Sequence, residues 1–403
     1  MNASLLQRMA GIFFTISLIS CILLLSGCWD RTEVNDLALV TAAGIDRKTE
    51  KRIELSVQVF IPRAAGGGQQ AMGGGGSGSA QTFIRSAEGV TIVDAMTKLQ
   101  EKLPRRIFWG HTEVFIIGRK LAEEGIRSHM DFMMRDPQVR EGAYVFISEK
   151  EAKPILELLP PLERSSSEVL RELAKSKIAM EVTLKDLNAR MIGDSEAVGL
   201  PWIGKLQAQP GQPEERTIPY ITGTAVFKKD KLVGHISDRT TRGVLWLRNE
   251  IHAAVVTDTP KEAEGFVSMK LLRAESQLVP KIENGKWTIT LRAITEDDII
   301  QNATNLDLMN PIFLRQLEVH LEEDIQNRVQ MALDQVQKKM NADIFDFAEA
   351  FHRGYPNEWN KAKERWDEIF PEVEVNFEVK AKVRRPGKST VPAGLPQEEV
   401  KLK

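Results

Sequence analysis

Cys28 is the residue whose chemistry is easiest to name. It follows Leu25-Ser26-Gly27 at the end of an apolar run, MAGIFFTISLISCILLL over residues 9–25, and Arg8 is the only side-chain charge before Asp30. Small residues at 26 and 27 suit peptidase access to an extended backbone, and the tetrad resembles the bacterial lipobox. A thiol at that position is alkylated by a diacylglyceryl donor to a stable thioether, and the amine freed by cleavage takes a further acyl chain. Each buried methylene contributes about 0.8 kcal/mol, so one chain binds marginally and two or more hold firmly. The competing reading is an uncleaved transmembrane helix, which needs about 20 apolar residues. The run here lies between that length and a signal peptide's. Cys21, the only other cysteine, leaves with the signal. The mature chain then has no disulfide and no cysteine-based metal site.

The remaining reactive side chains form no recognisable catalytic set. Six histidines stand at 111, 129, 235, 252, 320 and 352, and none forms HExxH. His111-Thr112-Glu113 fits half of a zinc deaminase signature, but the Cys-x-x-Cys half is missing. On a strand the pair would share one face, which reads as surface or packing. No G-x-S-x-G elbow occurs. Gly73, Gly75 and Gly78 fit G-x-G-x-x-G, yet no helix opens after them and no P-loop Lys-Ser/Thr is present. The expectation is therefore no catalytic residue, no metal and no cofactor. A net charge of −2 and a pI near 6.4 give no electrostatic footprint for nucleic acid.

The elements that position these residues fall into two halves. At 403 residues, with 42% hydrophobic and 27% charged content, the chain is an ordinary folded body too long for one core. Residues 37–43 read as a short buried strand. Residues 52–61 alternate strictly, as a half-buried strand does. Residues 62–81 are glycine-rich and read as a flexible loop. A strand at 82–85 leads to a helix at 90–103. Strands follow at 107–117 and 142–148, separated by a helix at 119–134. Further helices lie near 149–159, 166–178 and 183–191. Pro, Gly and Gln crowd residues 199–217, where a domain boundary is expected.

Beyond that boundary, residues 223–236 form a hairpin turning at Lys229-Asp230, and Asn284-Gly285 marks a second one. Asn310-Pro311 opens a long helix whose Leu314, Leu317, Leu321, Ile325, Val329, Ala332, Val336 and Met340 make one apolar stripe. A strictly alternating strand at 372–384 offers it a surface. Trp359 and Trp366, two turns apart, read as core beneath that sheet. The fold class is α+β: a multi-domain mixed α/β body whose C-terminal domain is an antiparallel sheet packed against a long helix. The divisions are a leader at 1–27, an N-terminal α/β domain at 28–200, a C-terminal α+β domain at 217–386, and a disordered tail at 387–403.

Four stretches carry a family resemblance. They are GCWDRTEVNDLALVTAAGID (27–46), FWGHTEVFIIG with DFMMRDPQVR (within 108–140), TRGVLWL (241–247), and DIFDFAEAFHRGYPNEWNKAKERWDEIFPEVEV (343–375), the last the most distinctive. The chain resembles the Ger(x)C family, the lipoprotein C subunits of nutrient germinant receptors in bacterial spores. The resemblance runs from the lipobox to about residue 387. The glycine-rich insert at 62–81 is longer than that pattern implies. The resemblance implies several α+β domains, no catalytic site, and lipid anchoring through Cys28 on the outer face of the spore's inner membrane. The implied partners are an integral A subunit and a transporter-like B subunit. Within the 108–140 region, Trp109 and Arg135 are types enriched at interfaces and are the candidate docking residues. The alternatives are a membrane-anchored solute-binding lipoprotein or a secreted hydrolase.

Overall fold

The structure, a computed structural model, describes residues 9, 11–17, 33–61, 82–252, 254–261, 263–385 and 392–401. Cys28 and the loop at 62–81 lie outside the described residues. No helix among the described residues is long and apolar enough to cross a membrane.

Among the described residues there are two sheets. The first begins with an antiparallel meander of β1 (Leu37–Thr49), β2 (Arg52–Phe60) and β3 (Thr82–Gly89). On its other side β1 starts a parallel row with β5 (Val114–Gly118), β6 (Tyr144–Ser148) and β7 (Ala197–Lys205). β4 (Arg106–Phe108) pairs parallel to the start of β1. An antiparallel hairpin, β8 (Pro219–Lys228) and β9 (Lys231–Ser237), closes the row. Every residue of β5 is buried, as a parallel strand covered by helices on both faces requires.

Several expectations change here for physical reasons. β2 is buried on both faces, not one. Ser56 and Gln58, which alternate with its aliphatic residues, are as buried as they are. Gln58 Nε2 donates to the Leu156 carbonyl at 3.0 Å and to Ser166 Oγ at 3.2 Å, so a second layer covers that face. The expected strand at 107–117 is two strands, because the chain turns at 109–113 with Thr112 N donating to the Trp109 carbonyl. The expected helix at 119–134 is also two, α1 preceding them at Ile92–Gln100, then α2 (Arg119–Glu124) and α3 (Arg127–Arg135). Gly125 breaks it at φ +127°, a conformation that L side chains rarely adopt. The helix near 149–159 shrinks to one turn, α4 (Lys153–Leu156). α5 (Ser166–Lys175) and α6 (Leu184–Met191) start at serine and threonine caps, Ser165 and Thr183.

The Pro/Gly-rich 199–217 segment does not part the sheets. Its first residues belong to the buried β7, and β8 and β9 continue the same sheet beyond it. One hydrophobic cluster runs from Val40 and Phe115 through Leu291 to Phe370, spanning both sheets.

The second sheet has the order β10 (Val255–Asp258), β11 (Val267–Glu283), β12 (Lys286–Asn302) and β13 (Glu374–Arg385). Its first three strands are antiparallel. β11 and β12 turn at Asn284 (φ +51°) and Gly285 (φ +78°), the paired positive φ of a type I′ turn. β13 joins parallel to β12, because the chain returns from the other end of a long helical crossover. The crossover begins with α8 (Pro311–Ala332), capped by Asn310, whose Oδ1 accepts from Ile312 N at 2.8 Å. Its stripe of Leu317, Leu321, Ile325, Val329 and Ala332 is buried, with Phe313 in place of the half-buried Leu314. The helix loosens into a π turn over Leu333–Met340. α8 also packs on α7 (Asp238–Leu247), which carries TRGVLWL. Gly243 permits this approach, since a Cβ there would lie 2.1 Å from the Arg328 carbonyl oxygen.

Residues 392–401, within the tail expected to be disordered, are described and reach the body. Val400 is buried, and Lys401 forms a bridge with Leu306, its N–H donating to the Asn305 carbonyl at 2.7 Å. Residues 386–391 lie outside the described ones.

Candidate functional site

The two candidate interface residues do not form one surface. Trp109 is 2% exposed, stacked on Phe115 at 6.4 Å and edge-on to Phe132 at 5.8 Å. Its indole N–H donates to Met96 Sδ at 3.1 Å. A side chain so enclosed is packing, and the expectation that it docks is corrected. Arg135, at the end of α3, is exposed and pairs with Asp131 at 2.7 Å, one turn back. His111 and Glu113 lie on a turn, not a strand. His111 is exposed beside Phe108, and Glu113 accepts two bonds from Arg171 at 2.8 and 2.9 Å. Among the described residues no three His, Cys, Asp or Glu side chains are grouped to hold a metal.

The distinctive 343–375 stretch folds into a polar seam between the two sheets. Asp343 is its hub. Oδ1 accepts from the Phe345 and Phe347 amides at 3.2 Å each, and Oδ2 from Ala348 N at 2.8 Å and Trp366 Nε1 at 3.2 Å. Burial, helped by the nearby Glu349 carboxylate, pushes its carboxyl up to about 7 against the pull of the Ala348 and Phe347 amides. Three residues along, Asp346 accepts from Arg190 at 2.8 Å and from Arg248 at 2.6 Å. Arg248, 2% exposed, also donates to Glu250 at 2.6 Å and to the Ile344 carbonyl at 3.0 Å. Burial opposes its charge, and Asp346 and Glu250 hold the guanidinium ionised. His352 and Asp194 meet at 2.5 Å. Arg190 and Asp194 come from α6 and the turn after it, so the seam ties the first sheet to the C-terminal helices. Trp359 and Trp366, 5.1 Å apart and both buried, cover it as core.

A second polar centre lies at the carboxyl ends of the parallel strands. The chain leaves β5 by α2 and α3, whose Leu121 and Met130 share a cluster with Phe115 and Ile117. It leaves β6 by α4 and α5, whose Leu156 and Leu170 share another with Val114 and Ile116 on the opposite face. Where successive crossovers part to opposite faces of an open sheet, a crevice opens outside the strand ends. The crevice here has a volume of about 820 Å³. Its floor is Asp46, buried, with Oδ1 accepting from Ala152 N at 2.7 Å and Oδ2 from Lys153 N at 3.0 Å. Desolvation pushes this carboxyl up to about 6, against those two amides. Gly118 must be glycine at this floor, because a Cβ would lie 2.0 Å from Asp46 Oδ1. The rim is cationic: Arg47, Arg119, Lys120, Lys150 and Lys205 face it. Sequence reasoning missed both centres. Charge in the apolar ADIFDFAEAF run was the available sign of the seam; nothing local announced the crevice.

Comparison with known proteins covers almost the whole chain. Residues 30–205 match the family model described as "Spore germination protein N-terminal domain", and residues 222–387 match "Spore germination B3/ GerAC like, C-terminal". Spore germination protein KC of Bacillus subtilis (strain 168) is 28% identical over 389 residues, covering 91% of this chain and 93% of that protein. The putative spore germination protein YfkR of the same strain is 30% identical over 363 residues, covering 90% and 93%. The crystal structure of the GerBC protein superposes with a TM-score of 0.57 at 18% identity, covering 85% of this chain and 96% of that one.

Proposed function

The chain belongs to the Ger(x)C family of spore germination proteins, and from that premise we propose that it is the lipid-anchored C subunit of a nutrient germinant receptor. It acts by docking to integral membrane subunits of the A and B kinds, at the outer face of the spore's inner membrane, and not by catalysis. The observation that carries this reading is that both family models match, in order, along nearly the whole chain. The Leu25-Ser26-Gly27-Cys28 tetrad supports the anchor. Tethering through Cys28 confines the body to a layer beside its partners and raises its effective concentration there, so a weak docking surface suffices.

Crosslinking in native spore membranes tests the docking. Crosslinks from the body to the membrane subunits are expected, and they should fall in Cys28→Ala spores, whose precursor stays uncleaved and unlipidated. Spores without such crosslinks, or a substrate turned over by the purified body, would overturn the reading. An unmodified Cys28 in a membrane-bound mature protein would overturn the anchor.

A second reading, a membrane-anchored solute-binding lipoprotein, is favoured by one observation: the crevice at the strand ends has the concavity such a protein needs. The two readings are compatible if a bound solute acts on the docked body.

A further inference from the structure

We infer that the crevice at the carboxyl ends of β1, β5, β6 and β7 is a binding site for a small organic polyanion bearing carboxylate or phosphate groups. Its position is the first argument. It lies where the crossovers after β5 and β6 diverge, which is where open parallel sheets take their ligands. Its volume, about 820 Å³, falls in the range of small-molecule sites.

Charge is the second argument. Five cations face the crevice against three acids, Asp46, Glu149 and Glu151. Two of those acids are already engaged. Asp46 is held by two backbone amides, and Glu149 accepts from Thr222 Oγ1 at 2.8 Å. Three of the cations are engaged as well: Arg47 with Glu124, Arg119 with Glu123, and Lys205 with Glu214. Lys120 and Lys150 have no side-chain partner among the described residues, and only Glu151 is free to offset them.

The third argument is that the backbone staples together the two segments that carry these lysines. Lys120 lies in the first turn of α2, just after β5, and Lys150 follows β6; Arg119 N donates to the Lys150 carbonyl at 2.8 Å, pinning the start of α2 to the turn after β6. Two point charges with rotatable donors, on backbone segments stapled together above a closed floor, suit an anion with more than one charged oxygen. Asp46 is spent on that floor and leaves the rim to the cations.

This inference does not rest on docking to membrane subunits, and it is tested on the purified body alone. Titration calorimetry with citrate and with inorganic phosphate, against sodium chloride at matched ionic strength, measures binding. A saturable single site is expected for at least one probe. The Lys120→Gln/Lys150→Gln double variant should weaken it at least about tenfold, a change of about 1.4 kcal/mol. A Lys270→Gln/Lys361→Gln variant, with the same charge change elsewhere, should bind like the parent. Both pairs are exposed, so folding is not at risk, and circular dichroism verifies it. Stronger binding of citrate than phosphate assigns a carboxylate ligand, and the reverse a phosphate ligand. Equal binding by the crevice variant, equal loss in the control variant, or heats no larger than chloride's would each overturn the site.

Discussion

The seam and the crevice are both polar, and they are built by opposite rules. In the seam most buried donors and acceptors meet inside the protein, Glu349 Oε2 being one buried oxygen without a hydrogen-bond partner. Asp343 alone takes four N–H groups, and Arg248 spends its guanidinium on Asp346, Glu250 and a carbonyl. In the crevice the floor is satisfied internally, and of the rim cations Lys120 and Lys150 have no side-chain partner among the described residues. A buried polar network whose groups are largely paired with one another fixes one arrangement of its neighbours. An incomplete one open to solvent costs the fold little and is available to a ligand. The contrast separates what holds the two sheets together from what faces the outside.

The largest effect should come from emptying the hub. Asp343→Ala leaves four buried donors without an acceptor, at a cost of roughly 3 kcal/mol or more. Urea unfolding should register it as a lower midpoint, and first in signals from the buried Trp359 and Trp366. Arg248→Ala comes next, on the order of 3 kcal/mol, because it leaves Asp346 and Glu250 without their buried partner. A near-silent Arg248→Ala would break the comparison, since the seam would then hold nothing.

The pH dependence should differ between the two centres. Below the ordinary Asp value of 3.8, folded and unfolded chains both hold the Asp343 proton. As pH rises from there to about 7 the unfolded chain ionises and the folded one resists, so this stability is lost on the alkaline side. At about 1.4 kcal/mol per unit, the loss is on the order of 4 kcal/mol. Comparing parent with Asp343→Asn isolates it: the parent's stability relative to the variant should fall steadily from pH 4 to pH 7. Asp46→Asn should show the same sign but level off near pH 6, where the crevice carboxyl has ionised. Parent and Asp343→Asn curves that stay parallel across this window would show that the hub does not titrate there.

What the sequence made legible follows from how local each signal is. The strand at 52–61, the Asn284-Gly285 turn, the Asn310-Pro311 start and the stripe below it are written within a few residues. All four appear in the structure. The pairing of Trp359 with Trp366 was also readable, from their spacing. Second-face burial of Ser56 and Gln58 was not, because the layer that covers them comes about a hundred residues later. The breaks at 109–113 and Gly125 depend on bonds to Thr41 and Asp230, far along the chain. The seam joins Arg190 and Arg248 to Asp346, and the crevice needs four strands in register, so neither exists before the topology does. Trp109 shows the limit of residue-type statistics: a type enriched at interfaces is also a good core filler.

The smallest effect on stability should be at Arg135, and that makes it the sharpest probe of docking. Its ion pair with Asp131 is exposed on both sides, the arginine side chain at 78% and the aspartate at 61%. Exposed pairs of this kind contribute little on a helix, since water screens the attraction and ordering two side chains costs entropy. Arg135→Ala should therefore leave the unfolding midpoint almost unchanged. If α3 docks, the same substitution removes a five-donor group from the contact and should reduce crosslinking to the membrane subunits in spores. The Lys120→Gln/Lys150→Gln variant provides the contrast, since it alters anion binding in the crevice and leaves α3 intact. Crosslinking reduced by Arg135→Ala alone would place the docking surface on α3. Unchanged crosslinking in that variant would exclude Arg135, leaving neither residue of the original pair at the interface, because Trp109 is already enclosed in the core.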